Sequence, residues 1–262
     1  MYTMRTYVQA ESPEQAAALL RENRRNVILG GNMWLRMGSR MIHTGIDLCR
    51  LGLDQIKSEE GGVSIGAMAT LAQFRDDPEV ARITHGAARR CVSPIVGTQF
   101  QNMATVGGSL YARFGFSDVD TLLLALDATA DFVLAGRRTV EDFLANGPEK
   151  GGDVLTAIHL RDGWEKAAFE DFRNTSTDLS VLNCACAAGN GEFRVAVGAR
   201  PGRAVLCAPA AEAWRAGKSP EEIGAIAAET LHFGSNGRAG AEYRRLLCRE
   251  LVARCIEEAE VC

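Results

Sequence analysis

The apolar and polar positions in the first two-thirds of the chain predict short helices and strands in mixed order. The first predicted element is a helix, because Pro13 follows the N-cap residue Ser12 and residues 16–20 form an apolar stripe. Thr70 and Gln73 have the spacing of a capping box, which predicts another helix start. The remaining regular segments predict strands at 27–29, 46–48, 61–67, 130–134 and 153–160, a short helix or tight turn at 32–37, and helices at 85–91, 121–126 and 140–145.

The last third of the chain has a different pattern, which predicts a hairpin followed by helices. Two apolar runs, 179–188 and 193–197, flank the turn Gly189-Asn190-Gly191. This change of pattern indicates a domain boundary near residues 164–168, and another unit begins near Leu51. Three helices are predicted after the hairpin, at 209–215, 220–231 and 241–260.

Composition and charge narrow the classes of function. The 262 residues are 47% hydrophobic with a formal net charge of -4, which is ordinary globular composition. No basic tract is present, which argues against nucleic acid as a partner. No apolar run reaches the length of a membrane span, and residues 1–10 lack the apolar core of a signal peptide. We therefore expect a cytoplasmic protein with no membrane span.

The eight cysteines are expected to be reduced thiols, since no secretion signal accompanies them. The chain contains no Cys-x4-Cys-x2-Cys run of the kind that binds a plant-type 2Fe–2S cluster. Cys248, Cys255 and Cys262 are spaced by sevens and share a predicted helix face. Seven helical residues span about 10 Å, too far for ligands of one metal ion. We predict thiols that pack as small apolar residues and no metal site.

Two Gly-Gly steps are the candidate functional features, at 29–34 and 104–109. Paired glycines let the backbone approach a ligand closely, and their amides can face an anion. Two such segments could enclose a diphosphate, with the Thr105 and Ser109 hydroxyls and the Asn32 amide as further donors. Taken alone, these residues fit plain turns better than a diphosphate site, and the pairs at 61–62 and 151–152 are read as turns.

The absence of several well-known motifs excludes the enzyme classes that depend on them. No Gly-x-Gly-x-x-Gly follows a predicted strand, which excludes an ordinary Rossmann site. Gly217-Lys218-Ser219 resembles the end of a P-loop, but Glu212 stands where the earlier glycine is required. His-Glu-x-x-His and Gly-x-Ser-x-Gly are both absent.

Longer runs around the two Gly-Gly steps resemble a known family. Residues 27–37 are similar to the first FAD loop of the FAD-binding (medium) subunits of the molybdopterin dehydrogenase family, which includes xanthine dehydrogenase and carbon monoxide dehydrogenase. Residues 99–110, Ser117-Asp118 and 122–128 follow the pattern of the second loop in order and spacing, and 235–247 resembles the closing domain. The resemblance implies an α+β fold. The implied fold begins with a two-part PCMH-type FAD-binding domain at 1–165, with subdomains of about 1–51 and 52–165. A small C-terminal domain of antiparallel sheet plus helices follows at 166–262.

The resemblance also implies the residues that contact FAD. The two Gly-Gly segments would enclose the diphosphate, Asp118 and Asp178 would be acidic residues near the cofactor, and Leu155 would line its pocket. It implies no catalytic acid or base in this chain. The implied cofactor-binding residues are Leu29, Gly30, Gly31, Asn32, Met33, Trp34, Gln99, Ala104, Thr105, Val106, Gly107, Gly108, Ser109, Asp118, Leu155 and Asp178.

Three departures from the family pattern concern the surroundings of the flavin. Gln101 stands where an arginine is usual, which removes a cation. Glu170 and Asp171 lie in a strand that often contains a lysine. Trp34 is a large ring in a loop that often has a smaller residue, and it is expected either to stack near the flavin or to shield it.

The implied function is electron transfer for chemistry performed by other subunits. The partners would be a small subunit with 2Fe–2S clusters and a large subunit with molybdopterin, and FAD would pass electrons to an acceptor such as NAD. Two alternatives stay open at this point: a flavin-free scaffold subunit of such a complex, and a self-standing flavin oxidase.

Overall fold

The computed structural model describes residues 2–261, and these form three β-sheets. The first is a parallel sheet of β1 (Thr3–Gln9), β2 (Val27–Leu29) and β3 (Met41–Asp47), in the order β1-β3-β2. Helix α1 (Pro13–Glu22) begins as predicted, because the Ser12 hydroxyl accepts the Gln15 amide at 3.1 Å. The prediction that a helix is the first element is wrong. Strand β1 precedes it, and its mostly exposed residues give no apolar alternation.

The second sheet is antiparallel and lies in the middle of the chain. Its order is β4-β5-β8-β6-β7, so the two strands without a sequence prediction, β4 and β7, are its exposed edges. Edge strands bury little, and their sequences therefore lack the alternation that identifies a strand. The strands are β4 (Ile56–Glu59), β5 (Gly62–Gly66), β6 (Thr129–Phe132), β7 (Gly136–Thr139) and β8 (Leu155–Arg161).

Seven short helices accompany this sheet among the described residues. The predicted capping box is confirmed, since Thr70 and Gln73 each bond to the backbone of the other. The last of the six helices before β6 is buried throughout, and its apolar residues belong to the largest core cluster, although its first half also contains Asp118, Asp120 and Thr121. The helices are α2 (Leu71–Asp76), α3 (Pro78–Ile83), α4 (Ala87–Val92), α5 (Thr98–Gln101), α6 (Val106–Ala112), α7 (Asp118–Ala125) and α8 (Val140–Asn146).

The third sheet is antiparallel and is covered by three helices. Its order is β12-β11-β10-β9, and the predicted hairpin is confirmed as β10 and β11, although β10 begins at Leu182. Together the three sheets and their helices confirm the predicted α+β class. The elements are β9 (Lys166–Phe172), β10 (Leu182–Gly189), β11 (Glu192–Gly198), β12 (Val205–Leu206), α9 (Ala208–Arg215), α10 (Pro220–Thr230) and α11 (Ala241–Val261).

Five buried thiols belong to the core between this sheet and its helices. The Sγ atoms of Cys186 on β10 and Cys255 on α11 are 3.4 Å apart, and these thiols pack as small apolar groups, as predicted. Cys262 lies outside the described residues. Within residues 2–261, no helix combines the length and apolar character needed to cross a bilayer. The cytoplasmic location stays a prediction.

Arg244 joins the loops at one end of the third sheet. Its side chain is 1% exposed, and its guanidinium donates to the carbonyls of Val181 (2.9 Å), Gly234 (2.9 Å) and Ala239 (2.6 Å) and to Asn236 Oδ1 (2.7 Å). Burial lowers the pKa of Arg244, so these four acceptors offset the cost of a buried cation.

We expect Arg244→Lys to destabilise the protein by about 2–3 kcal/mol, because an ammonium group cannot reach four acceptors arranged around a planar fork. The neighbouring substitution Arg245→Lys, on an exposed side chain, is the control and should change the free energy of unfolding by less than about 0.5 kcal/mol. Urea unfolding of both variants measures this. Equal stabilities for the two variants would contradict the role given to Arg244.

Candidate functional site

The first Gly-Gly segment lies at the carboxyl end of the parallel sheet. It follows Leu29, the last residue of β2, and leads into a 3-10 turn at Leu35–Met37. Asn32 has a φ of 58°, in the left-handed region, whereas Trp34 is right-handed with a φ of -88°. Mixed left- and right-handed residues turn neighbouring amides toward a common point, which is the geometry of an anion-binding nest.

Five successive amides in this segment, those of residues 30–34, donate to no other group in the described part of the chain. The carbonyls of Asn32 and Trp34 do accept bonds, from the amides of Arg36 (3.0 Å) and Met37 (3.2 Å). The Oδ1 atom of Asn32 is buried and also lacks a partner. Because buried polar groups are normally paired, the buried and unpartnered Oδ1 atom of Asn32, within this row of unpaired amides, points to a ligand site.

The two Gly-Gly segments lie against each other. A Cβ atom added to Gly31 would be 1.7 Å from the carbonyl oxygen of Met103 and 2.9 Å from Cα of Ala104. A Cβ atom on Gly30 would be 3.2 Å from Oγ1 of Thr105. Glycine is therefore required at position 31 for this backbone contact, and the predicted pairing of the two segments is present in the structure.

The second segment differs from its predicted role as a source of free amides, because it is the start of α6. Thr105 is the N-cap and accepts the Gly108 amide at 3.0 Å. The amides of Val106 and Gly107 donate to the carbonyls of Ala69 (2.9 Å) and Ala67 (3.0 Å), and the Ser109 amide donates to the Thr105 carbonyl (3.0 Å). This segment therefore supplies a shaped wall, and the free donors come from the first segment.

Leu155 precedes Thr156, whose backbone is linked to the second segment through Ala67. The Ala67 carbonyl accepts the Gly107 amide, and the Ala67 amide donates to the carbonyl of Thr156 at 2.9 Å. A Cβ atom on Gly107 would be 2.5 Å from the Ala67 carbonyl oxygen, so these backbones are in close contact. Leu155 is 5% exposed and belongs to the main core cluster.

Helix α5 contains the predicted Gln99, which is exposed, and Gln101, which is buried. The Gln101 amide donates to the carbonyls of Val92 (3.1 Å) and Ile95 (2.7 Å), and its oxygen accepts a bond from Arg75. The guanidinium of Arg75 therefore brings a cation to the place where an arginine is usual in the family. The departure at Gln101 moves the positive charge to another helix and does not remove it.

Asp118 is buried at the first turn of α7 and is fully engaged by other residues. Its oxygens accept from Arg173 (2.6 Å), Ser180 (2.6 Å) and Asn183 (2.6 Å). Arg173 is also paired with Asp171 at 2.6 Å. Burial raises the pKa of Asp171, and the guanidinium of Arg173 opposes that rise. The network therefore ties α7 to the third sheet.

Asp178 lies in the same network, in the segment between β9 and β10. Its carbonyl accepts from Arg173 at 2.7 Å, and its Oδ1 atom accepts two bonds from Arg238, at 3.0 and 2.9 Å. Hydrogen bonds from Arg238 lower the pKa of Asp178. Asp118 and Asp178 are thus brought together through Arg173, and among the described residues no hydrogen bond joins either of them to the Gly-Gly segments.

A cavity of about 500 Å³ lies between the loop before α5 and the segment after β9. Arg90 and Arg173 line it together with Asp171, and Arg90 pairs with Glu170 at 3.1 Å. Positive charge beside Glu170 and Asp171 on β9 therefore comes from Arg90 on α4 and from Arg173, which follows the last residue of β9. The other lining residues are Ser93, Pro94, Ile95, Val96, Gly97, Ser176 and Thr177.

Two family models match consecutive parts of the chain. Residues 2–160 match the FAD binding domain in molybdopterin dehydrogenase, and residues 167–259 match the CO dehydrogenase flavoprotein C-terminal domain. The chain therefore belongs to the FAD-binding flavoprotein subunits of the molybdopterin dehydrogenase family, which are subunits of oxidoreductases.

Individual relatives agree with this family. The chain is 29% identical over 280 residues to the nicotine 6-hydroxylase medium subunit of Paenarthrobacter nicotinovorans, covering 97% of this chain and 96% of the relative. It is 27% identical over 223 residues to the putative xanthine dehydrogenase FAD-binding subunit XdhB of Escherichia coli K12, covering 77% and 75%.

Solved structures share the fold. Carbon monoxide dehydrogenase from Hydrogenophaga pseudoflava has a TM-score of 0.86 at 22% identity, covering 100% of this chain and 99% of that one. Quinoline 2-oxidoreductase from Pseudomonas putida 86 has a TM-score of 0.84 at 21% identity, covering 97% and 96%. The predicted family, FAD as cofactor and the oxidoreductase class are confirmed, whereas the individual FAD contacts and the domain limits stay predictions.

The sequence patterns do not identify the arginines that bring positive charge to the site from distant parts of the chain. Arg75, Arg90 and Arg173 are surrounded in sequence by ordinary charged residues, and no local pattern marks them. Asp120 was also missed, although an acidic residue in an otherwise apolar buried run is a usable signal. It is 1% exposed, its Oδ1 atom has no partner, and burial raises its pKa well above the ordinary carboxyl range.

We expect Gly31→Ala to lower the free energy of unfolding by about 2–3 kcal/mol, because the new Cβ atom would force two backbone segments apart. Gly237→Ala is the matched control, since a Cβ atom there meets no atom within 4 Å. Thermal and urea unfolding measure both changes. Equal stability of the two variants would show that the segments do not touch.

We expect Asp120→Asn to stabilise the protein at pH 7 by at least about 1 kcal/mol. A raised pKa in the folded state means that stability falls as the pH rises above about 4, the ordinary carboxyl value, so the gain should vanish below it. Asp131→Asn is the control of opposite sign, because hydrogen bonding from Arg137 lowers the pKa of Asp131. That variant should lose stability at pH 7 and little in acid. Melting curves at pH 4 and pH 7 separate the two, and a loss for Asp120→Asn at pH 7 would contradict the assignment.

Proposed function

We propose that the chain holds FAD across the two Gly-Gly segments and transfers electrons as the medium subunit of a molybdenum hydroxylase complex. The observation that supports this most strongly is the row of five unpaired amides at 30–34, closed on one side by the second segment. Such a row suits the oxygens of a diphosphate. The unpartnered Oδ1 atom of Asn32 suits a hydroxyl donor of the same ligand.

In this proposal the chain's own residues bind, enclose and orient the cofactor. The amides of residues 30–34 hold the diphosphate, and the wall of Ala104–Ser109 covers it. Leu155 adds an apolar surface, and the network of Asp118, Arg173 and Asp178 fixes the third sheet against α7 beside the cavity. FAD supplies the exchange between one-electron and two-electron carriers, and the protein supplies position and electrostatics.

The partners and the acceptor belong to the same proposal. A small subunit with 2Fe–2S clusters and a large subunit with molybdopterin would deliver electrons, as the similarity to a nicotine 6-hydroxylase medium subunit supports. NAD is proposed as the acceptor because the chain is similar to the putative xanthine dehydrogenase FAD-binding subunit XdhB.

The test is a titration of the purified chain with FAD, followed by flavin fluorescence. We expect saturable binding, and we expect Asn32→Val to weaken it by about tenfold, because a β-branched residue at a φ of 58° strains the amide row by about 1–2 kcal/mol. Asn190→Val is the matched control, since Asn190 has a φ of 52° in the β10–β11 hairpin. It carries the same strain and should leave FAD affinity unchanged.

The proposal would be overturned by a wild-type chain that binds no FAD at saturating concentration and still co-purifies with one large and one small partner subunit. That result would favour the flavin-free scaffold. If Asn32→Val and Asn190→Val weaken FAD binding equally, the amide row is not part of the FAD site. Melting temperatures of both variants establish that each is folded during the titration.

A further inference from the structure

A second cavity, of about 390 Å³, lies toward the other end of the parallel sheet from the first Gly-Gly segment. A volume of this size is usual for a pocket that binds a small molecule. The Gly-Gly segment follows Leu29, which pairs with Asp47 at the carboxyl end of β3. His43, in the wall of the cavity, lies four residues earlier on β3, about 13 Å away along the strand. The lining residues, which we call the basic pocket, are Arg5, Asn23, Arg24, Arg25, Met41 and His43.

The basic pocket carries positive charge that no carboxylate neutralises. Arg5, Arg24 and Arg25 are exposed, and none of them forms an ion pair among residues 2–261. Glu22 is the one acidic residue between positions 15 and 46, in a chain whose formal net charge is -4. Because three guanidinium groups around one cavity repel each other, an anion that enters the cavity is attracted by all three and relieves that repulsion.

The turn that contains two of these arginines is fixed by hydrogen bonds. The Arg25 amide donates to Oδ1 of Asn23 (2.9 Å), and the Asn26 amide donates to the Asn23 carbonyl (2.8 Å). The Arg25 carbonyl accepts the His43 amide at 3.0 Å, which joins the turn to β3. Asn26 is 6% exposed, and its side chain donates to the Leu19 carbonyl at 2.6 Å. The backbone is therefore ordered before any ligand binds, which reduces the entropy lost on binding.

The side chains of the pocket indicate the class of anion. Guanidinium groups bind phosphate oxygens in pairs, and a compound with several phosphate charges can be shared by several arginines. His43 adds a neutral donor, because its Nδ1 atom lies 3.1 Å from the Thr44 hydroxyl, which can donate to it and leave the proton on Nε2. Met41 is the one apolar lining residue, and no aromatic ring is among them, so the wall offers no surface on which a base would stack.

We propose that the basic pocket is a second anion site, which binds a compact compound with two or more phosphate groups independently of the cofactor. It is separate from the amide row at 30–34, because the two sites lie toward opposite ends of the parallel sheet. The bound anion links Arg5 on β1 to the turn before β2 and to His43 on β3. Since it binds only the folded sheet, it raises the melting temperature of the chain.

The experiment is a calorimetric titration of the full chain with inorganic diphosphate, with FAD at saturating concentration so that the proposed cofactor site is occupied. We expect saturable binding. The double variant Arg24→Gln, Arg25→Gln should weaken it by about tenfold, since each exposed ion pair contributes about threefold. Arg24→Lys with Arg25→Lys keeps the charge and loses the planar fork, so a loss of about threefold is expected. ADP should bind to this pocket no more tightly than diphosphate.

The matched control is the double variant Arg245→Gln, Arg249→Gln. Both arginines are exposed on α11, far along the chain from the pocket, and neither forms an ion pair in the described part of the chain. The variant loses the same two charges and should keep the wild-type affinity within about 1.5-fold. Melting curves show that each variant is folded. Diphosphate should raise the melting temperature of the control and not that of the Arg24→Gln, Arg25→Gln variant.

Three results would overturn this inference. The first is an absence of saturable diphosphate binding. The second is an equal loss of affinity in the two double variants, which would make these arginines an ordinary solvated surface. The third is tighter binding of a hexaglutamate peptide than of diphosphate, with the same dependence on Arg24 and Arg25, which would assign the surface to an acidic segment of a protein partner. A chain that binds no FAD overturns the proposed function alone, because the comparison of variants can be made without the cofactor.

Discussion

The close contact between Gly31 and the backbone of Met103 is the constraint on which the site depends. It brings a loop at the end of the parallel sheet against the start of α6, and a side chain as small as a methyl group at position 31 would separate them. Because the amides of residues 106–109 in the second segment are bonded to Ala67, Ala69 and Thr105, the row of free donors is the one at 30–34. This one steric contact thus sets the shape of the site. It also places the free amides of residues 30–34, which suit an anion, against the second segment.

The network centred on Arg173 has a similar role for the other half of the protein. Arg173 is shared by Asp118, at the start of the buried helix α7, and by Asp171 on β9. A buried cation between two carboxylates fixes the third sheet relative to that helix, since any separation would leave charges unpaired away from water. The cavity lined by Arg173 therefore lies at a junction whose geometry is held by ion pairs as well as by apolar packing.

Local patterns predicted the elements that bury a regular face or begin at a cap. The helix starts at Ser12 and Thr70 and the hairpin of β10 and β11 could be predicted because capping residues and apolar alternation act over a few residues. Strands β1, β4 and β7 could not, because their residues are mostly exposed and their pairing partners supply the order. Gln99 illustrates the same limit at the site: it is exposed, while the nearby Gln101 is buried.

The sequence by itself determined the family, the cofactor and the two glycine segments, because close backbone approach can be met by few residues other than glycine and leaves a motif that is visible in order and spacing. Only the tertiary structure decided which amides stay free, that Asp118 is bound by Arg173, and that Arg75 and Arg90 supply cations near Gln101 and Glu170. Those facts depend on contacts between residues far apart in the chain, and no local pattern records which donor reaches which acceptor.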